Sequence, residues 1–199
     1  VLDVTQDSLG RYWLFDYDGA SVYDEEGECL YDFRPVVREM IDHHLWLNTH
    51  SLLLSSPVGS LWLVEFNEKG EAQKPVRVNI PFKYVSCMVE DVSGNIWMGT
   101  LGDGLWLVRY EEKELKCEKV IPTNNEEDAL SKISSLYIDN QSNVWISTLG
   151  SGVWRTLDLS ESSYFSSTML GIPSCIGSAF SETSDGDILF GTDGMGVFW

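Results

Sequence analysis

The sequence predicts an all-β protein, a β-propeller of four-stranded antiparallel blades. Three observations carry that expectation. The 199 residues include 8 Trp, 8 Tyr, 8 Phe and 17 Gly, a mix that favours strands joined by tight turns over helices. One stretch recurs: DVSGNIWMGTLGDGLWLVRY (91–110) returns as DNQSNVWISTLGSGVWRTLD (139–158) and TSDGDILFGTDGMGVFW (183–199). Aligning Trp13, Trp46, Trp97, Trp145 and Leu189 gives spacings of 33, 51, 48 and 44 residues, a mean of 44. That period holds four short strands, the content of a propeller blade.

Blade one is read over about 1–33, where DSLGRYWLFDYDGASVYD (7–24) fits the frame with a shortened middle. Blade two, about 36–79, is a degraded copy. There DHHLWLNTH (42–50) supplies Trp46 as the counterpart of Trp13, SLLLSSPVG reads as an insert, and VGSLWLVEFNEKG (58–70) follows. Blade three, about 84–121, is complete. Its inner run VSCMVED leads through a turn at Gly94 to the Trp97 strand, which closes on Gly99-Thr100. A turn at Gly102 and Gly104 then joins LWLVRY to LKCEKVI. Blade four, about 132–168, repeats this with ISSLYID, Trp145, Ser147-Thr148, Gly150 and Gly152. Blade five starts near 175 and stops after its third strand, with Gly191-Thr192, Gly194 and Gly196 in place.

Pro35, Pro81, Pro122 and Pro173 stand before successive copies, where a missing amide breaks no ladder. The whole of 1–199 is therefore read as one propeller segment of about four and a half blades. Truncated first and last copies suggest an arc of a larger, seven-bladed ring, since an open arc exposes raw sheet edges. The glycines link strand to strand and recur. A phosphate loop instead needs them between a strand and a helix.

Charge excludes one class of partner. Lys and Arg number 13 against 31 Asp and Glu, a net charge of −18, and such a field repels nucleic acid and anionic membrane surfaces. No apolar run approaches the roughly 18 residues that span a bilayer. The chain opens on Val1 in mid-pattern and reads as a processed or excised piece. Cys29, Cys87, Cys117 and Cys175 form no CxxC pair. Cys29 and Cys117 fall on fourth strands of non-adjacent blades, so four free and mostly buried thiols are expected. Adjacent His43 and His44 would point to opposite faces of a strand, so a solvated hairpin turn is expected there in place of a metal site. The acidic runs 24–26 and 126–128 lack calcium-loop spacing. No cofactor is expected, and no nucleophile elbow or triad is visible.

EDVSGNIWMGTLGDGLWLVRY resembles the two-component regulator propeller repeat, whose motif runs Asp-x-x-Gly-Asn-x-Trp-x-Gly-Thr, then Gly-Gly-Leu and an aromatic. ALSKISSLYIDNQSNVWISTLGSGVW keeps that repeat's lead-in of leucine and serine. The resemblance covers nearly the whole chain and is weakest in blade two. It implies the periplasmic sensor region of a Bacteroidetes hybrid two-component system, in which paired propellers and an immunoglobulin-like domain precede a membrane helix and kinase. It also implies oligosaccharide recognition that controls glycan-utilisation genes.

Propeller ligands meet loops at one face or the channel mouth. The links between second and third strands, and from one blade to the next, share a face. Tyr17, Asp18, His50, Ser51, Asp103, Ser151 and Met195 lie on the first set, and Arg38, Lys83, Tyr84, Asn124 and Asn125 on the second. Aromatic and polar groups there suit sugar stacking and hydroxyl hydrogen bonds. Trp13, Trp46, Trp97 and Trp145 are read as core, as are Trp62, Trp106 and Trp154 on third strands. The expected role is a non-enzymatic sensor. An assembly or homodimer scaffold is the alternative, with SLLL as its apolar patch, and a propeller lyase or glycosidase comes after that.

Overall fold

The structure is a computed structural model describing residues 1–47, 51–111, 114–121, 130–158, 161–165 and 176–199. The chain divides into two compact units, Val1–Tyr84 and Val85–Trp199. Both are built from antiparallel sheets whose strands lie side by side in chain order. This is the β-propeller blade, and the expected fold class is the one observed. Among the described residues, no helix is long and apolar enough to cross a membrane.

The first unit holds two sheets. One comprises β1 (Asp3–Gln6), β2 (Tyr12–Asp16), β3 (Gly19–Tyr23) and β4 (Cys29–Asp32). A helical turn, α1 (Arg34–Val37), leads to the other: β5 (His43–Leu47), β6 (Ser51–Ser55), β7 (Leu61–Glu65) and β8 (Val76–Val78). Alternation in β2 buries Trp13 and Phe15, because successive side chains point to opposite faces. They pack with Val22, Leu52, Leu54 and Val64 into one core across the two sheets. Pro35 sits in the first turn of α1, where its missing amide costs nothing. Arg38 closes α1 in the left-handed region, at φ 54°.

The second sheet corrects the sequence reading at three points. Trp46 lies on β5, a first strand, opposite Leu52. Trp13 pairs with Thr5, Trp97 with Val89, and Trp145 with Tyr137, each tryptophan being on a second strand. The true counterpart of those tryptophans is Leu52, and the spacings become 39, 45, 48 and 44 residues. The supposed insert SLLLSSPVG is therefore the missing second strand and its turn. Leu52, Leu53 and Leu54 are fully buried, so they form no dimerisation patch. His43 and His44 lie half-buried on β5 and not in a solvated turn; His44 stacks on Phe15 at 4.6 Å.

The second unit holds three sheets. The first comprises β9 (Val85–Glu90), β10 (Ile96–Thr100), β11 (Leu105–Glu111) and β12 (Glu114–Val120). The next comprises β13 (Ile133–Ile138), β14 (Val144–Thr148), β15 (Val153–Asp158) and β16 (Glu161–Phe165). The last has three strands, β17 (Gly177–Glu182), β18 (Ile188–Thr192) and β19 (Gly196–Phe198). Trp97, Leu105 and Leu107 pack against Ile133, Leu136, Ile146 and Trp154. Val153 and Phe190 form a smaller core with Trp145, Phe180 and Phe198. Close approach explains Gly99: a Cβ there would stand 2.5 Å from Ile133 and 2.6 Å from the Cys87 sulfur. The expectation of mostly buried thiols fails at Cys29, which is free and exposed at the edge of β4. Burial pushes the Cys87 thiol up to about 12. Cys175 lies outside the described residues.

Candidate functional site

Two recurring devices fix the ends of the sheets. At the turn between first and second strands, an aspartate six residues before the tryptophan binds the turn to the ring. Asp91 Oδ1 accepts the amides of Ser93 and Asn95, both at 2.9 Å, and its Oδ2 accepts the Trp97 indole N–H at 3.2 Å. Asp139 does the same for Gln141, Asn143 and, at 2.8 Å, Trp145. Asp7 serves Leu9, Arg11 and, at 3.0 Å, Trp13. Burial opposes ionisation of Asp7 and Asp139, but hydrogen bonds from the rings, nearby side chains and amides outweigh it and hold both carboxyls below their usual value. Gly94 adopts φ 79° in this turn.

At the opposite end, a threonine closes the turn between second and third strands in each of the second unit's three sheets. The hydroxyls of Thr100, Thr148 and Thr192 donate to the carbonyls of Gly104, Gly152 and Gly196, each at 2.8 Å. The same oxygens accept the amides of Asp103, Ser151 and Met195 at 2.9, 3.0 and 3.2 Å. Gly104, Gly152 and Gly196 take φ between 83° and 89°, and Gly150 and Gly194 are also positive. Gly102 stands in open space.

These threonine-closed turns place the expected ligand residues. Asp103, Ser151 and Met195 occupy equivalent positions in three turns of the second unit. In the first unit Tyr17 and Asp18 form the β2–β3 turn, and Tyr17 is 67% exposed. Arg38 donates from Nε to the Pro35 carbonyl, and Lys83 packs near Gly59 of the β6–β7 turn. Tyr84 is exposed and holds φ 53°. Ser51 is a buried strand residue of β6, not a loop residue. His50, Asn124 and Asn125 lie outside the described residues. Among the described residues, no three His, Cys, Asp or Glu side chains gather where a metal ion could be held.

Sequence reasoning missed a cleft of about 470 Å³ at the other end of the first unit. Two turns flank it: residues 7–10, between β1 and β2, and residues 67–70, after β7. Trp46 and Phe66 line it, with ring centres 5.8 Å apart. Arg11 forms one wall, paired to Asp7 at 2.6 Å, bonded to the Gly70 carbonyl at 2.7 Å and set 5.7 Å over the Phe66 ring. Ser8, Glu68 and Lys69 complete the rim. The one signal in the sequence was blade two's departure from the repeat.

With this geometry in hand, comparison with known proteins defines the class. Residues 79–102, which run into β9 and β10 with the Asp91 turn, match the family described as two component regulator propeller. The match spans 24 of the 199 residues and shows that stretch to be similar to the family's repeat. No curated protein matches the sequence. Among solved structures, the chain is similar to the extracellular domain of BT3049 from B. thetaiotaomicron, described as a hybrid two component system, at 20% identity and TM-score 0.73. The match covers 99% of this chain and 26% of that one. The corresponding domain of BT4673 from the same organism gives 17% identity and TM-score 0.70, covering 98% and 25%. Virginiamycin B lyase from Staphylococcus aureus gives 11% and 0.65, covering 94% and 61%. The chain thus spans about a quarter of the length of the two B. thetaiotaomicron domains. At these identities the likeness is one of fold.

Proposed function

We propose that this chain is part of the extracytoplasmic sensor propeller of a hybrid two-component signalling protein. In this reading it binds an oligosaccharide, or relays its recognition, to control glycan-utilisation genes. The carrying observation is the match of 79–102 to the regulator family. The fold shared with extracellular domains of two hybrid systems supports it. The segment is read as non-catalytic, with other propeller and immunoglobulin-like domains of the same protein as its partners. Asp103, Ser151 and Met195 at the threonine-closed turns, Tyr17 and Asp18 at the β2–β3 turn, and Arg38, Lys83 and Tyr84 on the connections between sheets are the proposed contacts. The scaffold alternative loses its candidate surface, because Leu52, Leu53 and Leu54 are buried in the first unit.

A signal requires a ligand with unequal affinity for two arrangements. Thermal unfolding of the full protein against a panel of glycan oligosaccharides tests this. Binding in large excess over Kd raises stability by about 3 kcal/mol, so one glycan family is expected to shift Tm. No shift across a broad panel rejects the sensor reading.

A further inference from the structure

We propose that the cleft lined by Trp46 and Phe66 is a separate binding site that takes one neutral sugar residue of an oligosaccharide. The inference rests on the sensor reading above and assigns the ligand a place at the end of the first unit's sheets opposite the β2–β3 turn of Tyr17 and Asp18.

Trp46 has no counterpart tryptophan on the first strands of the other sheets. Trp13, Trp97 and Trp145 each give their indole N–H to an aspartate. Trp46 stands on a first strand, where the other sheets carry Thr5, Val89, Tyr137 and Ser181. Its N–H is buried and finds no acceptor among the described residues. Trp62 likewise buries an indole N–H with no acceptor among the described residues, so what sets Trp46 apart is its place on the lining of the cleft.

The lining selects the ligand. Trp46 and Phe66 offer apolar ring surface, which suits the flat C–H face of a sugar ring. The volume of about 470 Å³ falls within the roughly 300–1,000 Å³ of small-molecule sites. The charged wall is already committed: Arg11 is held by Asp7 and the Gly70 carbonyl. Arg11 offsets Asp7 and Lys69 offsets Glu68 in the lining, a charge balance that favours a neutral ligand over a cation or an anion. At the rim, the side chains of Ser8, Glu68 and Lys69 have no partner among the described residues. A hydroxyl, a carboxylate and an ammonium group together can donate to and accept from neighbouring sugar hydroxyls. A neutral ring with polar edges satisfies both the aromatic surface and the rim.

The test is isothermal titration of the full chain with gluco-, manno-, xylo- and arabino-tetraose, with tetragalacturonate as the charged control. At least one neutral tetrasaccharide is expected to bind. The exposed pair Glu68→Gln and Lys69→Ala should weaken it about tenfold or more, and Phe66→Leu should weaken it too, with unfolding curves checking the fold. Val58→Ala, at the exposed β6–β7 turn, should leave the affinity unchanged, and Tyr17→Ala with Asp18→Ala reports on the turn contacts proposed above. Binding that depends on Tyr17 and Asp18 but not on Glu68 and Lys69 overturns the cleft and leaves the sensor reading standing. Binding of tetragalacturonate alone overturns the neutral class. No binding by any saccharide overturns the oligosaccharide reading and the cleft together.

Discussion

At the scale of single residues, the tryptophans owe their positions as much to a carboxylate as to burial. Asp139 accepts two amides, the Asn143 side chain and the Trp145 indole. Hydrogen bonds to a charged group contribute about 1.5–3 kcal/mol, so Asp139→Ala should cost about 2 kcal/mol in urea unfolding. The pH dependence has a definite sign. Asp7 and Asp139 titrate below the ordinary 3.8 in the folded chain. Their stabilisation is present above pH 3.8 and disappears as pH falls through the lowered folded values. Stability measured from pH 6 down to 2 should fall over that window, and Asp139→Asn should flatten part of the fall. The six-residue Asp–Trp spacing is visible in the sequence at 91–97 and 139–145. The bond itself is not, since a tryptophan in an alternating run reads equally well as plain core.

At the scale of elements, the repeat was legible wherever a turn carried glycine or aspartate. The hairpins of β9–β11 and β13–β15 follow directly from Gly94, Gly104 and Gly152. Blade two was misphased because no such punctuation separates β5 from β6. Two apolar strands then compete for one template, and the visible tryptophan attracts the alignment to the wrong one. Burial on both faces makes β6 the central strand of the first unit's second sheet. Leu53→Ala should therefore cost about 2–5 kcal/mol as a cavity mutant. Its oligomeric state, read by light scattering, should not change; dissociation of an oligomer would restore the patch reading. The cleft was invisible in the sequence for a different reason. Arg11 and Gly70, which its wall joins, lie 59 residues apart, and only the packing of two sheets brings their turns together.

At the scale of the whole molecule, a net charge of −18 leaves the folded chain under self-repulsion. Salt shortens the reach of that repulsion to about 10 Å at 0.1 M. Raising sodium chloride from about 20 to about 300 mM should therefore raise Tm, and a flat or falling Tm would show that paired charges dominate. The clasp formed by aspartate, turn and tryptophan has one more consequence. All its bonds close within seven consecutive residues, Asp91–Trp97 in one copy and Asp139–Trp145 in another. A gene segment of about 44 codons duplicated in frame therefore carries a complete turn lock and needs nothing from its neighbours to form it. The second sheet shows the converse. There Leu52 stands where the locked tryptophans stand and leaves no ring for an aspartate to hold, while Trp46 occupies a first-strand position that carries Thr5, Val89, Tyr137 and Ser181 in the other copies.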